Sequence, residues 1–240
     1  MEFVLLIFAA LLPAILLVHY ILKKDKLKPE PKSQLIKGFF YGVGSAVLTI
    51  LVLGPIVGIS QDTTQPSLLA ALLHAFCFAA IPEELAKFLM LWLLLRGNKY
   101  FDEHIDAVVY SVCVGMGFAG AENLLYLFDN YDSWISVGVA RALISVPGHF
   151  FFAVAMGYYY SLAHFGDKTQ RKTNLSLAIA VPVLMHGVFD SILFSVSIVP
   201  SLAGILTIGF ILCFRKIRTF ASGKIKELYE KDRQLQEIRD

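Results

Sequence analysis

The sequence predicts an all-α, polytopic transmembrane helical bundle. Three observations carry that expectation. Of 240 residues, 57% are apolar and only 17% are charged, and the mean hydropathy is +0.65. A soluble domain holds roughly 45–50% apolar and about 25% charged residues. The apolar residues fall in long runs, each near the roughly 20 residues that a helix needs to cross a bilayer. Finally, nearly all the basic residues lie in alternate connections and the tail. A disordered chain needs the opposite balance of hydrophobicity and charge. The three cysteines, Cys77, Cys113 and Cys213, lie in apolar stretches without a CxxC pair, which excludes a disulfide framework and a thiolate zinc site.

The first span is read over residues 3–22. No basic residue precedes it and no small-residue cleavage site follows it, so it reads as a retained helix rather than a signal peptide. Residues 23–34, with Pro29 and Pro31, form a short stiff link. The second span covers 38–60 and is uncharged. The third covers 67–95 and contains Glu83, Glu84 and Lys87; the fourth, 106–128, contains Glu122. The fifth, 134–165, contains Arg141 and His149. Residues 175–214 as one helix would be about 60 Å long, so a hairpin turning near 197–200 is expected. That makes about seven spans. The domain expectation is one helical membrane domain over 1–214 and a charged helical tail over 215–240. The tail reads as a solvated helix or a segment resting on the lipid surface, with i,i+4 pairs such as Glu227–Lys231.

Nineteen of the 21 lysines and arginines lie in the first link, the connections after spans three and five, and the tail. The opposite connections (61–66, 129–133, 196–200) hold none. By the positive-inside rule the N-terminus faces out and the tail is cytoplasmic. Gly115-Met-Gly117-Phe-Ala-Gly120 fits a dinucleotide pattern, but it follows no strand and opens no βαβ unit. In a membrane helix such small residues, like Gly38 and Gly42, let neighbours approach closely.

Ionisable residues at membrane depth are costly and mark function by default. Lys87 stands four residues after Glu83 and three after Glu84, on the same face as either carboxylate. One lysine neutralises one glutamate and leaves the other for a cavity. His186 and Asp190 share a face at i,i+4, so Asp190 can fix the ring's tautomer and free its other nitrogen for a metal or a proton. His149 follows an expected helix disturbance at Pro147-Gly148. Glu122, with Asn123 beside it, and Arg141 fall at similar depth and form a plausible pair. Counted at about 1.5 Å per residue, Glu84, His149 and His186 reach one level near mid-membrane on three helices. His19, His74, His104 and His164 sit near span ends.

At these residues the sequence resembles the PrsW-type intramembrane proteases, which are related to the CAAX-prenyl and bacteriocin-processing membrane proteases. The matching pieces are Pro82-Glu83-Glu84-x-x-Lys87, Phe101-Asp102-Glu103-x-x-Asp106, Gly117-Phe118-x-x-x-Glu122-Asn123, Pro147-Gly148-His149 and His186-Gly-Val-Phe-Asp190, in the family's order. His104 stands where a proline is usual. The resemblance implies a metalloprotease of a prokaryotic cell membrane, acting on a membrane-anchored single-span substrate such as an anti-sigma factor. Its partners are the bilayer and that substrate, not nucleic acid. It implies catalytic roles for Glu83, Glu84, Glu103, His149, His186 and Asp190, supported by Lys87, Glu122, Asn123 and Arg141.

The residues allow two forms of peptide hydrolysis. In one, His149, His186 and a glutamate, Glu84, hold zinc and leave a position for water. In the other, no metal is used, Glu84 is the general base, and the histidines serve the oxyanion or the leaving amine. The preferred assignment has Glu84 as base, Glu83 paired with Lys87 and His186 oriented by Asp190. Glu83 is an almost equal candidate for the base. Glu103, in a cytoplasmic connection, needs a re-entrant turn to join them. A proton-coupled transporter is the rival class, weakened by the lack of an inverted repeat. A non-catalytic membrane scaffold is a third.

Overall fold

Nine α-helices and three short helical turns of other pitch account for all regular structure in the described residues of the computed structural model, which are 2–60, 67–199, 201 and 203–239. The helices are α1 (Glu2–Leu22), α2 (Lys32–Ser60), α3 (Leu68–Leu73), α4 (Ile81–Leu95), α5 (Asp106–Asp129), α6 (Trp134–Leu143), α7 (Ser145–Phe165), α8 (Arg171–Ile198) and α9 (Ala203–Arg239). The expected outer connection 61–66, and Pro200 of the expected hairpin turn, lie outside the described residues. Six helical segments are long and apolar enough to cross a membrane, against the seven expected. The chain does turn after Ile198, but the apolar part of α9 ends at Phe214. Those twelve positions rise only about 18 Å.

Helix α5 is the axis of the bundle. Every residue from Asp106 through Gly120 is buried, and α1, α2, α4, α6 and α7 pack around it. Its lack of an apolar stripe is the signature of a helix enclosed on all sides. Glycines permit that enclosure. A Cβ on Gly42 of α2 would lie 2.0 Å from the Val114 carbonyl oxygen, and one on Gly117 would lie 1.9 Å from that of Phe39. The small-residue reading of these positions therefore holds, with α2 and α5 in backbone contact. Gly42→Ala is expected to destabilise the fold by at least about 1–3 kcal/mol, the usual cost of overpacking. Loss of the folded fraction in a detergent melting experiment checks it. By contrast Phe3, Phe8, Ile15, Phe40, Leu51, Leu69, Ile135 and Leu143 are exposed on the outer helices, as a lipid-facing surface requires.

Two interruptions aim the polar residues. Residues His74–Ala80 form a π-helical segment, with the Ile81 N–H reaching the Phe76 carbonyl five residues back. Pro82 has no N–H to give the carbonyl of Phe78, and this favours such a widened turn. The widened segment lies against Gly187 of α8, where a Cβ would stand 2.3 Å from the Phe76 ring. The second interruption splits the fifth span at Ile144 (φ −122°, ψ −67°), three residues before the expected site. Pro147 falls in the first turn of α7, where its missing N–H costs nothing.

One side of the tail, expected to be solvated or to rest on the lipid surface, is buried against the bundle. Helix α9 runs unbroken across 214/215, and Ile217, Ala221, Ile225, Leu228 and Asp232 are buried. They recur about once per helical turn; Ala221, Ile225 and Leu228 pack with core residues of α1, α5 and α7, and Ile217 packs with Phe152 and Phe189.

Candidate active site

Four helices bring their ionisable residues together inside the bundle. From α4, the Lys87 ammonium lies 2.9 Å from Glu84 Oε1 and 3.2 Å from Glu83 Oε2. The same Nζ lies 3.3 Å from Nδ1 of His149 on α7 and 3.7 Å above the Phe118 ring of α5. From α8, His186 Nδ1 lies 2.9 Å from Glu84 Oε1 and 4.0 Å from Glu83 Oε2. The two imidazoles meet edge to face, 5.2 Å between centroids, and Phe152 stacks on His186 at 4.9 Å. Glu84, Lys87, His149 and His186 are all buried.

Each histidine has a carboxylate behind it. His149 Nε2 is 2.9 Å from Glu122 Oε2, and His186 Nε2 is 3.1 Å from Asp190 Oδ2. A carboxylate only accepts, so each Nε2 carries the proton and donates it. Both Nδ1 atoms then turn inward. That of His149 faces the ammonium of Lys87, which only donates. That of His186 faces Glu84 Oε1, and two lone pairs at 2.9 Å call for a proton or a cation between them. A carboxylate behind a ring fixes the tautomer and presents the other nitrogen as a ligand.

Arg141 of α6 holds the outer side of this arrangement. Its Nη2 lies 2.9 Å from Glu122 Oε2, and its Nε donates to Asn123 Oδ1 at 2.8 Å. Asn123 in turn donates to the Ala10 carbonyl of α1 at 2.8 Å. Glu122 thus serves Arg141 and His149 with one oxygen. Arg141→Ala leaves that carboxylate without its permanent cation in a largely buried place. The expected loss is about 3 kcal/mol of stability, read as a lower melting temperature.

The sequence expectation for Glu103 meets a different outcome. Its backbone N–H donates to Asp106 Oδ2 at 2.7 Å, at the start of α5. Sixteen residues of helix, about 24 Å, separate Asp106 from Glu122. No re-entrant turn carries Glu103 inward, and it stands with Asp25, Asp106 and Asp232 instead. Burial, with the charges of Asp232 and Asp25, raises its carboxyl to about 7. His104, in the place of the usual proline, bonds Asp232 of the tail through Nδ1 at 2.7 Å.

Whether the central residues suit a metal is tested by their free atoms. One donor atom from each of Glu83, Glu84, His149 and His186 lies within 4.8 Å of the others. Glu84 Oε2 is buried with no hydrogen-bond partner. Three of these donors, from Glu83, Glu84 and His149, already surround one cation, the ammonium of Lys87. Nitrogen and oxygen donors of this kind suit zinc. The residues fit.

Residues 30–215 match the model of a family described as PrsW family intramembrane metalloprotease. Among curated proteins, the chain is 37% identical to Protease PrsW of Clostridioides difficile over 186 residues, 77% of each chain. It is 34% identical to Protease PrsW of Geobacillus kaustophilus, over 78% of this chain and 79% of the relative. It is 33% identical to Protease PrsW of Bacillus subtilis, over 80% and 84% respectively. No solved structure matches the chain.

Proposed function

Given that the chain belongs to the PrsW family of intramembrane metalloproteases, we propose that it cleaves a single-span membrane protein, such as an anti-sigma factor, at a zinc centre held by His149, His186 and Glu84, with Glu83 as general base. The chain is a membrane protease and a multi-pass integral membrane protein. The transporter and scaffold readings are set aside with the family established. The proposed location is a bacterial plasma membrane.

One observation carries the assignment. Two imidazoles on different helices each give Nε2 to a carboxylate and turn Nδ1 inward, that of His186 to Glu84 and that of His149 to Lys87, which itself bonds Glu84. Glu84, 1% exposed in its side chain and 2.9 Å from His186 Nδ1, stands where a third ligand belongs. Glu83 is 12% exposed and 4.0 Å from the same nitrogen, close enough to serve a water and far enough to stay unligated. This exchanges the roles first given to the neighbours: Glu84 is spent on the cradle and Glu83 on the proton. Bound zinc supplies a Lewis acid that polarises the scissile carbonyl and lowers the pKa of water. Glu83 accepts one proton of the attacking water as its oxygen bonds the carbonyl carbon. It returns that proton to the amine as the C–N bond breaks. Lys87 offsets the charge of the two carboxylates. Glu122 and Asp190 hold the rings in one tautomer, and Phe152 fixes the plane of His186.

The test is reconstitution of the full chain in liposomes with a panel of single-span substrates. Wild type should cut at least one within or beside its span, and Glu84→Gln should cut none. Equal cleavage by Glu84→Gln refutes the assignment.

A further inference from the structure

At the other end of α5, remote from the histidines, three carboxylates converge from two connections. One oxygen from each of Asp25, Glu103 and Asp106 lies within 4.8 Å of the others. Asp25 is 4% exposed and Asp106 is fully buried. Their hydrogen bonds leave them half served. Asp25 Oδ2 accepts from the Glu30 N–H at 3.3 Å, and Asp106 Oδ2 accepts from the N–H groups of Asp102 and Glu103 at 3.0 and 2.7 Å. Asp25 Oδ1, Asp106 Oδ1 and Glu103 Oε2 are buried with no partner at all. Lys28 is committed to Asp102, and Asp232 spends both oxygens on His104 and Ile105. Three unpartnered carboxylate oxygens in one buried place repel each other unless protons or a cation join them.

We propose that Asp25, Glu103 and Asp106 form a second metal site, for a hard divalent cation, that ties the α1–α2 link to the start of α5. The donors are all oxygen, the choice of calcium or magnesium rather than zinc. Their mutual reach suits oxygens about 2.3–2.6 Å from a calcium ion. A cavity of about 290 Å³, lined by Lys28, Asp102, Glu103 and Asp232, adjoins the group and gives water room to complete the coordination. Asp232 bonds the same connection from α9, so the bound ion also stiffens the seat of the tail. This accounts for Glu103, which the hydrolytic centre does not use, and it stands independently of the zinc assignment.

The experiment uses purified full-length protein in detergent, with calcium chloride and magnesium chloride as probes in equilibrium dialysis and thermal unfolding. Wild type should bind about one equivalent of one or both ions saturably and melt higher as the site fills. Asp25→Asn and Glu103→Gln should each weaken that binding by roughly tenfold or more and remove the thermal shift. Glu103 is only partly buried, so its variant tests the site even if Asp25→Asn does not fold. His186→Ala should keep the shift, which separates this site from the histidine centre. No saturable binding by wild type at millimolar calcium or magnesium overturns the proposal. So does undiminished binding by Glu103→Gln, or loss of the shift in folded His186→Ala.

Discussion

Glu83→Gln is expected to lower cleavage by about 10²–10⁴-fold while the protein keeps its metal. Glutamine preserves the size of the side chain and can still accept from Lys87 Nζ, now 3.2 Å from Glu83 Oε2. It cannot carry a proton from water to the leaving amine. Glu84→Gln is expected to fail differently, losing both cleavage and most of the metal, because Oε1 is the atom facing His186 Nδ1. Metal content measured beside activity therefore assigns the two neighbours. If Glu83→Gln loses the metal and Glu84→Gln keeps it, the roles are reversed. If both variants cleave at the wild-type rate, neither is catalytic.

His149→Ala and His186→Ala form the second pair with large effects. Each removes one inward Nδ1, and bound zinc should fall from about one equivalent toward none, with cleavage lost in parallel. Asp190→Asn should be milder. Its amide can no longer take the Nε2 proton of His186 as a carboxylate does, and the loss in metal affinity or activity should be about 10–100-fold. Equal damage from Asp190→Asn and His186→Ala would mean that the pair acts as one unit in holding the fold.

Much of this centre was legible along the chain. Pro82-Glu83-Glu84-x-x-Lys87 and the i,i+4 pair of His186 and Asp190 are each contained in one helix, where spacing alone fixes which side chains meet. The Glu122–Arg141 contact followed from counting depth. The bond from Glu122 to His149 did not, because the count assumed one straight fifth span. The chain instead breaks at Ile144, and α7 starts afresh with His149 in its second turn. The approach of Lys87 to His149 was hidden for a similar reason, since the π segment resets the facing of α4. The buried side of the tail is hidden in the sequence because its positions occur only once per turn among charged residues, and composition averages them away. Glu103 shows the limit of motif reasoning. The motif sets it three residues before Asp106, while only the fold shows that Asp25 joins them.

The proposed hydrolytic centre at His149, His186 and Glu84 depends on a metal. Its most direct test is elemental analysis of a purified, fully active preparation, followed by chelation and restoration. About one zinc per chain, loss of cleavage on chelation and recovery when zinc returns are expected. A fully active sample that holds no transition metal, and whose turnover ignores the chelator, contradicts it.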